Sequence, residues 1–339
     1  MAKMSIAEAL RQAIAEEMRR DPRVFCLGED IDVEGGFGGA FTVTLGLSKE
    51  FGHERILDTP ISEIMIAGAA VGAAMTGMIP IADVQYGDFL FCMMDQLADN
   101  AAKMTYMSGG TVKVPMVMRA PVGATTRGAQ HAQSLEAFFT HIPGLKVICP
   151  STAYDAKGLL KTAIRDENPV IVFEHKLLYG SKGNRAEKSA LSPVGEVPDE
   201  EYLIPFGSGV IRREGTDITI VATLLMVYKA MEAAEILEKE GISVEVMDPR
   251  TLVPFDYDML IDSVKKTSRL IIVEEDTKRN GWGAEVAAQI AEDALFYLDA
   301  PIKRVASYDV PIPFAPVMEN FVVPSANRIA EVARNLMKI

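Results

Sequence analysis

The sequence predicts an α/β fold of two domains, each with a mainly parallel sheet. Three observations carry this prediction. Short runs that are apolar throughout, such as VFCLG from residue 24 and VIVFE from residue 170, alternate with stretches of helical periodicity, which is the signature of strands covered on both faces. The alternation occurs twice, before and after residues 179–206, where periodicity gives way to Gly, Ser, Pro and charge. The length of 339 residues, 49% apolar and 24% charged, suffices for two ordinary cores. Domains over 1–178 and 207–339, joined by a linker, follow.

Ser5 with Glu8 forms a capping box, and Ile6, Leu10, Ile14 and Met18 recur every four residues, predicting a helix over 5–19. The strand at 24 leads into a Gly-rich loop with Gly35, Gly36, Gly38 and Gly39. An apolar strand ends near Asp58, and Ser62 opens a small-residue helix followed by the strand IPIADV from 79. Next come a helix from Asp88 to about Met107, the strand VPMVMRA from 114, a helix from Gln133, LKVIC from 145, a helix over Tyr154–Arg165 and the strand from 170. The uncharged stretch Ile64–Ala82 is long enough to span a membrane, but Gly77 and Pro80 break it. It reads as a buried helix running into a buried strand, with Gly68 and Gly72 admitting another helix at close range. In the second half, strands at 218, 243, 269 and 302 alternate with helices over Met226–Lys239, near Tyr257–Lys266 and from Ala284 to about Leu295, and a closing helix starts at Asn327.

Composition excludes several functions. With 34 Lys and Arg against 47 Asp and Glu, the net charge of −13 disfavours nucleic acid and anionic membrane as partners. Cys26, Cys92 and Cys149 are dispersed and odd in number, against a disulfide framework or zinc knuckle, and no secretory signal is visible, so a reducing, cytoplasmic location is expected. No GxGxxG, GxxxxGK[ST] or GxSxG motif occurs, and the four histidines show no metal spacing. Two spots have chemical promise. Glu63 lies in the first turn of the small-residue helix, where it serves either as a partner of the helix dipole or as a functional carboxyl. His131 stands in a polar, Gly-containing segment between strand and helix, flanked by amides that can orient it for acid/base work.

Around these residues the chain closely resembles a known family. DTPISE at 58, QYGDF at 85, DQLADNAAKMTYMSGG at 95, GAQHAQSLEAFF at 128, IRDENPVIVFEHKLLY at 164, PRTLVPFD at 249, SVKKTSRLIIVEE at 263 and VVPSAN near the end are similar to the β subunit of thiamine-diphosphate-dependent 2-oxo acid dehydrogenases. These are the decarboxylating components of the pyruvate, branched-chain 2-oxo acid and acetoin dehydrogenase complexes. The resemblance implies a transketolase-like pyrimidine-binding domain followed by a transketolase C-terminal domain. It also implies an α2β2 heterotetramer with thiamine diphosphate held between chains, the α subunit supplying the magnesium and diphosphate site. No Gly-Asp-Gly occurs here, in keeping with that division.

By position, the resemblance makes Glu63 the partner of the aminopyrimidine ring nitrogen, with Phe89 packing on that ring and Gln85 and the backbone near Ile61 lining it. Protonating that nitrogen favours the imino tautomer that takes the thiazolium proton. His131 is implied at the substrate or lipoyl end of the pocket, stabilising a carboxylate or developing charge. Its neighbour departs from the family's His-Ser-Gln pattern, Ala132 replacing the serine. A structural potassium ion is implied near Ala163, Asp166 and Asn168, residues that also read as an Asp-Asn turn before Pro169. The second domain is implied to serve assembly and to dock the dihydrolipoyl transacylase core through its subunit-binding and lipoyl domains. Acetoin cleavage is an alternative within the family, suggested by the resemblance of MRRDPRVFCLGEDI and the IPF segment at 204 to acetoin-complex subunits; a non-catalytic scaffold is the alternative outside it.

Overall fold

The computed structural model describes residues 1–33, 38–180 and 193–339; Gly35, Gly36 and most of the linker's middle lie outside the described residues. In chain order the first part contains β1 (Ala2–Ser5), α1 (Ile6–Arg20), β2 (Val24–Gly28), α2 (Leu47–Phe51), β3 (Ile56–Asp58), α3 (Glu63–Met75) and β4 (Ile79–Asp83). A helical segment over 87–107 ends in α4 (Ala102–Met107), and β5 (Val117–Val122), α5 (Glu136–Thr140), β6 (Lys146–Ile148), α6 (Ala153–Ile164), β7 (Val170–His175) and β8 (Val194–Val197) follow. The second part runs β9 (Val210–Arg213), β10 (Ile218–Ala222), α7 (Leu225–Glu238), β11 (Val244–Asp248), β12 (Thr251–Val253), α8 (Tyr257–Thr267), β13 (Leu270–Thr277), α9 (Trp282–Asp293), β14 (Lys303–Ser307), α10 (Pro316–Val322) and α11 (Ala326–Leu336).

The predicted two-domain α/β architecture is present. A seven-stranded sheet has the order β12-β6-β7-β5-β4-β2-β3 and a five-stranded sheet the order β14-β13-β10-β11-β9, while β1 and β8 form a separate antiparallel pair. All pairs in the two large sheets are parallel except those of the edge strands β12 and β9. β12 belongs to the second half of the chain yet pairs with β6 of the first, so it ties the two halves together by backbone hydrogen bonds. Strands β2, β4, β5 and β7 are buried along their whole length, as their apolar sequences require.

Local chemistry sets the elements. The capping box of α1 is formed: Glu8 N–H donates to Ser5 Oγ at 3.3 Å, and Ser5 N–H donates to Glu8 Oε2 at 2.8 Å. The face of α1 carrying Leu10, Ile14 and Met18 is buried, and Glu16 reaches Lys157 and Lys161 of α6 at 2.8 and 2.7 Å. Three expectations need correction. The single helix over 88–107 is instead a 3-10 stretch over Gly87–Met93, a π-helical stretch over Asp95–Ala101 and α4. Its start packs so closely on β5 that a Cβ at Gly87 would lie 3.1 Å from the Pro121 carbonyl oxygen, and the tightened turn meets that constraint. The helix expected from Gln133 begins only at Glu136, because the Gln133 carbonyl accepts from Gly123 N–H and its side chain donates to Asp88. Lastly, α3 is buried on one face only: Ile66, Ala67, Ala70, Val71 and Ala74 face the core, whereas Ile64 and Met65 are exposed; a Cβ at Gly68 would lie 3.4 Å from the Gln96 side chain of the neighbouring helical segment, while no atom of the described residues comes within 4 Å of one at Gly72.

Where the domains meet, Asp276 of β13 is buried close to α5, its carboxylate accepting from Thr277 N–H at 2.6 Å. Burial pushes the Asp276 carboxyl up to about 7, with Glu274 adding to the rise. Glu136 beside it is pushed up as well, by its own burial first and by Asp276 next. In the unfolded chain an aspartate loses its proton near about 3.9. Between those values the folded state keeps a proton that the unfolded state has released, so stability falls as pH rises through this window. Asp276→Asn keeps an acceptor for Thr277 N–H without ionising. Its Tm at pH 8 should exceed that of the native chain by about 1–2 °C, the shift that roughly 1 kcal/mol gives at about 2.1 cal/mol/K per residue, and the two should converge below about pH 4 in scanning calorimetry.

Candidate active site

Parallel strands point their carboxyl ends to one edge of the sheet, and the loops there converge. Glu29 and Asp30 follow β2, Asp58 ends β3, Gln85 and Tyr86 follow β4, the segment 123–134 leaves β5, and Lys176 follows β7. Glu63 joins them as the first residue of α3, half-buried, at a helix start where Ser62 supplies no side-chain cap. Free N–H groups and the positive end of the helix favour a carboxylate at that point.

One wall is acidic. The Glu29 carboxyl is raised above its usual range by burial first, then by the charges of Asp30, Glu63 and Asp58. Glu29 thus shares its surroundings with Glu63, a relation that sequence reading missed because the two are separated along the chain. Gln85 Nε2 donates to the Glu29 carbonyl at 3.1 Å and to Asp30 Oδ2 at 3.4 Å, so the amide of Gln85 braces this loop. Ile61 is 76% exposed.

The other wall is aromatic. The rings of Tyr86, Phe89 and His131 meet edge to face, with centroids 4.9 Å apart for Tyr86–His131, 5.4 Å for Phe89–His131 and 5.9 Å for Tyr86–Phe89. Phe41 extends the stack, edge-on to Tyr86 and parallel to Tyr179 at 4.6 Å. The buried Lys176 lies over the Tyr86 ring at 5.0 Å and donates to the His131 carbonyl. Gln133 Nε2 donates to Asp88 Oδ1 at 2.8 Å; the other carboxylate oxygen of Asp88 is buried without a partner among the described residues. Tyr86 and Lys176 were also missed: each would be counted as core or surface from sequence, and only their partners in space assign them here. Ala132, where the family pattern has serine, is buried with Ala124, Ile312 and Val322, so an apolar contact orders this loop where a hydroxyl was expected.

Glu63 and Gln85 thus meet around the Glu29–Asp30 loop, and Phe89 and His131 meet on the aromatic wall. Ala163, Asp166 and Asn168 belong to neither group. They lie in the last turn of α6 and the turn before β7, at the opposite end of the strands from Lys176. Asp166 Oδ1 accepts from Asn168 N–H at 2.9 Å and from Asn168 Nδ2 at 3.0 Å, Asp166 N–H donates to the Ala163 carbonyl at 3.2 Å, and Lys146 pairs with the remaining Asp166 oxygen. Among the described residues no cluster of three or more His, Cys, Asp or Glu side chains could hold a metal ion, and no helix is long and apolar enough to cross a membrane.

Known proteins share this architecture and sequence. The model of the transketolase pyrimidine-binding domain matches residues 2–182 and that of the transketolase C-terminal domain matches residues 207–329. The chain is 47% identical to the 2-oxoisovalerate dehydrogenase subunit beta of Bacillus subtilis, over 99% of both chains. It is 48% identical to the acetoin:2,6-dichlorophenolindophenol oxidoreductase subunit beta of Cupriavidus necator, covering 99% of this chain and 98% of that one. Identity to the pyruvate dehydrogenase E1 component subunit beta of Rickettsia felis is 44%, over 98% of both. A solved structure of a split gene transketolase, an inactive beta4 tetramer, has the same fold, with a TM-score of 0.78 at 23% identity over 99% of each chain. Identity above 40% along the whole length of several such subunits, on a fold that brings Glu63 and His131 to one sheet edge, shows that the chain belongs to the family of 2-oxo acid dehydrogenase E1 β subunits.

Proposed function

We propose that this chain is the β subunit of an α2β2 thiamine-diphosphate-dependent component that oxidatively decarboxylates a 2-oxo acid and passes the acyl group to the lipoyl-lysine of a transacylase. The observation that carries this reading is Glu63, a half-buried carboxyl at an uncapped helix start, facing a second carboxyl that burial and like charge hold above its usual range. Such a pair can share a proton with a ring nitrogen. The residues present fit an aminopyrimidine: Phe89 offers an aromatic face and the backbone near Ile61 an open edge. The Gln85 amide already braces the Glu29 loop, so its part is to shape the pocket. When bound, thiamine diphosphate supplies a thiazolium carbon acidic enough to become a nucleophile. Glu63 would hold a proton at the ring nitrogen, and His131, steadied by Tyr86, Phe89 and Lys176, would stabilise negative charge on the substrate side.

The diphosphate and magnesium would be held by the α subunit, since this chain has no Gly-Asp-Gly sequence. A structural potassium ion would take the carbonyl of Ala163 and the side-chain oxygen of Asn168, because Lys146 already neutralises Asp166. Residues 1–178 form the pyrimidine-binding domain in this reading, 179–206 the linker, and 207–339 the domain that docks the transacylase core; the net charge of −13 would speed encounter with a basic subunit-binding domain. The complex would be cytoplasmic. Acetoin is the second reading for the substrate, favoured by the 48% identity to an acetoin oxidoreductase β subunit.

Purified alone, the chain should bind thiamine diphosphate weakly in calorimetry and show no decarboxylase activity, and addition of the α subunit should bring both. Tight magnesium-dependent binding by the isolated chain contradicts the shared site. In the reconstituted enzyme Glu63→Gln should bind cofactor yet slow hydrogen/deuterium exchange at the thiazolium carbon, with a stability change below about 1 kcal/mol. Native exchange rates in that variant would remove the proton-sharing role. His131→Ala should lower turnover by about 100-fold, the usual worth of an acid/base group, with cofactor affinity retained; unaltered turnover assigns the histidine to structure alone.

A further inference from the structure

We propose that the second domain sets the position of His131, and that Glu275 and Glu319 are positioning residues of the active site. The proposal rests on the role given to His131 above. The loop that carries this histidine leaves β5 at Gly123 and closes on itself, Gly123 N–H donating to the Gln133 carbonyl at 3.1 Å. Its outer part is held from the other domain. Glu275 of β13 accepts from Ala124 N–H at 2.6 Å with one oxygen and meets His175 Nε2 at 2.8 Å with the other. Glu319 of α10 accepts from Thr126 N–H at 2.7 Å. Both carboxyls are buried, where an unsatisfied charge is costly, so the loop and the two glutamates stabilise each other only in this arrangement.

Packing repeats the pattern. Ala132, next to His131, lies against Ile312 and Val322, and a Cβ at Gly128 would come within 3.4 Å of the Phe314 ring. Thr126 has φ +58°, a left-handed conformation that a β-branched residue adopts only when its surroundings enforce it. The hydrogen bond to Glu319 falls on that residue. The first domain holds the far end of the loop through Lys176 and Asp88. The ring of His131 therefore rests on Tyr86 and Phe89 by virtue of ties at both ends, one set in each domain. Glu29 and Gln85 on other strand ends and Glu63 at the start of α3 have no such tie to the second domain among the described hydrogen bonds.

This separation gives a distinctive signature. In the enzyme reconstituted with its α subunit, Glu319→Ala should lower kcat about tenfold or more, because displacing a reacting group by about 1 Å can cost 100-fold. Cofactor affinity and the exchange rate at the thiazolium carbon should stay at native values. Glu319→Gln, which keeps an oxygen acceptor for Thr126 N–H, should recover most of the loss. Combined with His131→Ala, Glu319→Ala should cause no further loss, since a residue acting through another is not additive with it. Native kcat in Glu319→Ala, losses that multiply in the double variant, or a parallel fall in thiazolium exchange would each overturn the proposal. Should Glu319→Ala fail to fold, the same cycle is run with Glu275→Ala, which removes the acceptor for Ala124 N–H, with Glu275→Gln as its rescue, and the same outcomes decide. A silent His131→Ala removes the functional role of His131 and this proposal with it, whereas a damaging His131→Ala beside a silent glutamate variant overturns the positioning role alone.

Discussion

At the end of β7, three consecutive polar residues are buried, and each is satisfied by a different part of the molecule. Glu174 binds Arg119 through two hydrogen bonds of 2.9 and 2.6 Å, His175 meets Glu275 of the second domain, and Lys176 donates to the His131 carbonyl. A strand end that contributed such side chains without partners would be strongly destabilising. With partners, one short segment fastens the sheet, the domain interface and the histidine loop together. Gly123 is the complement of this arrangement. A Cβ there would fall 2.0 Å from His175 Nε2, and its φ of +96° is open to glycine, so the chain can leave β5 only through a residue without a side chain.

The site that results has two electrostatic characters. Glu29, Asp30, Asp58 and Glu63 concentrate negative charge on the β2, β3 and α3 side, and burial together with like charge favours keeping a proton on Glu29. On the β4, β5 and β7 side, aromatic edges surround His131 and the ammonium of Lys176 lies beneath Tyr86. A carboxyl that shares a proton and a histidine that meets negative charge need opposite surroundings. The sheet provides both because neighbouring strand ends are close in space and independent in sequence.

Much of this was legible in the sequence, and the exceptions have physical causes. Strands such as VFCLG and VIVFE announce themselves because both faces are covered, and the capping box at Ser5 and Glu8 formed as read. β12 escaped notice because a three-residue edge strand is defined by the partner it finds, here β6 of the other domain. Residues 88–107 read as one helix since apolar spacing at Leu90, Met93, Leu97 and Ala101 does not separate i to i+3, i+4 and i+5 bonding; the close packing of Gly87 on β5 does. Glu63 and His131 stand out in the sequence because their local settings are chemically unusual. Glu29, Tyr86, Lys176, Glu275 and Glu319 were not, since the meaning of each lies in a partner brought near by the fold.

The surface around Glu63 gives the last step. Ile61 is 76% exposed, Ile64 is 52% exposed and Met65 is 39% exposed, so the carboxyl sits among apolar side chains that this chain leaves in water. Apolar surface of this kind marks a face that another molecule covers. Covering it with the α subunit would exclude water from the same carboxyl that the proposed chemistry asks to share a proton, and removing water strengthens every electrostatic interaction that remains. Assembly and proton sharing would then be one event: the half of the site built by this chain is folded and braced in advance, and it would acquire a dry, low-dielectric setting when a partner covers α3.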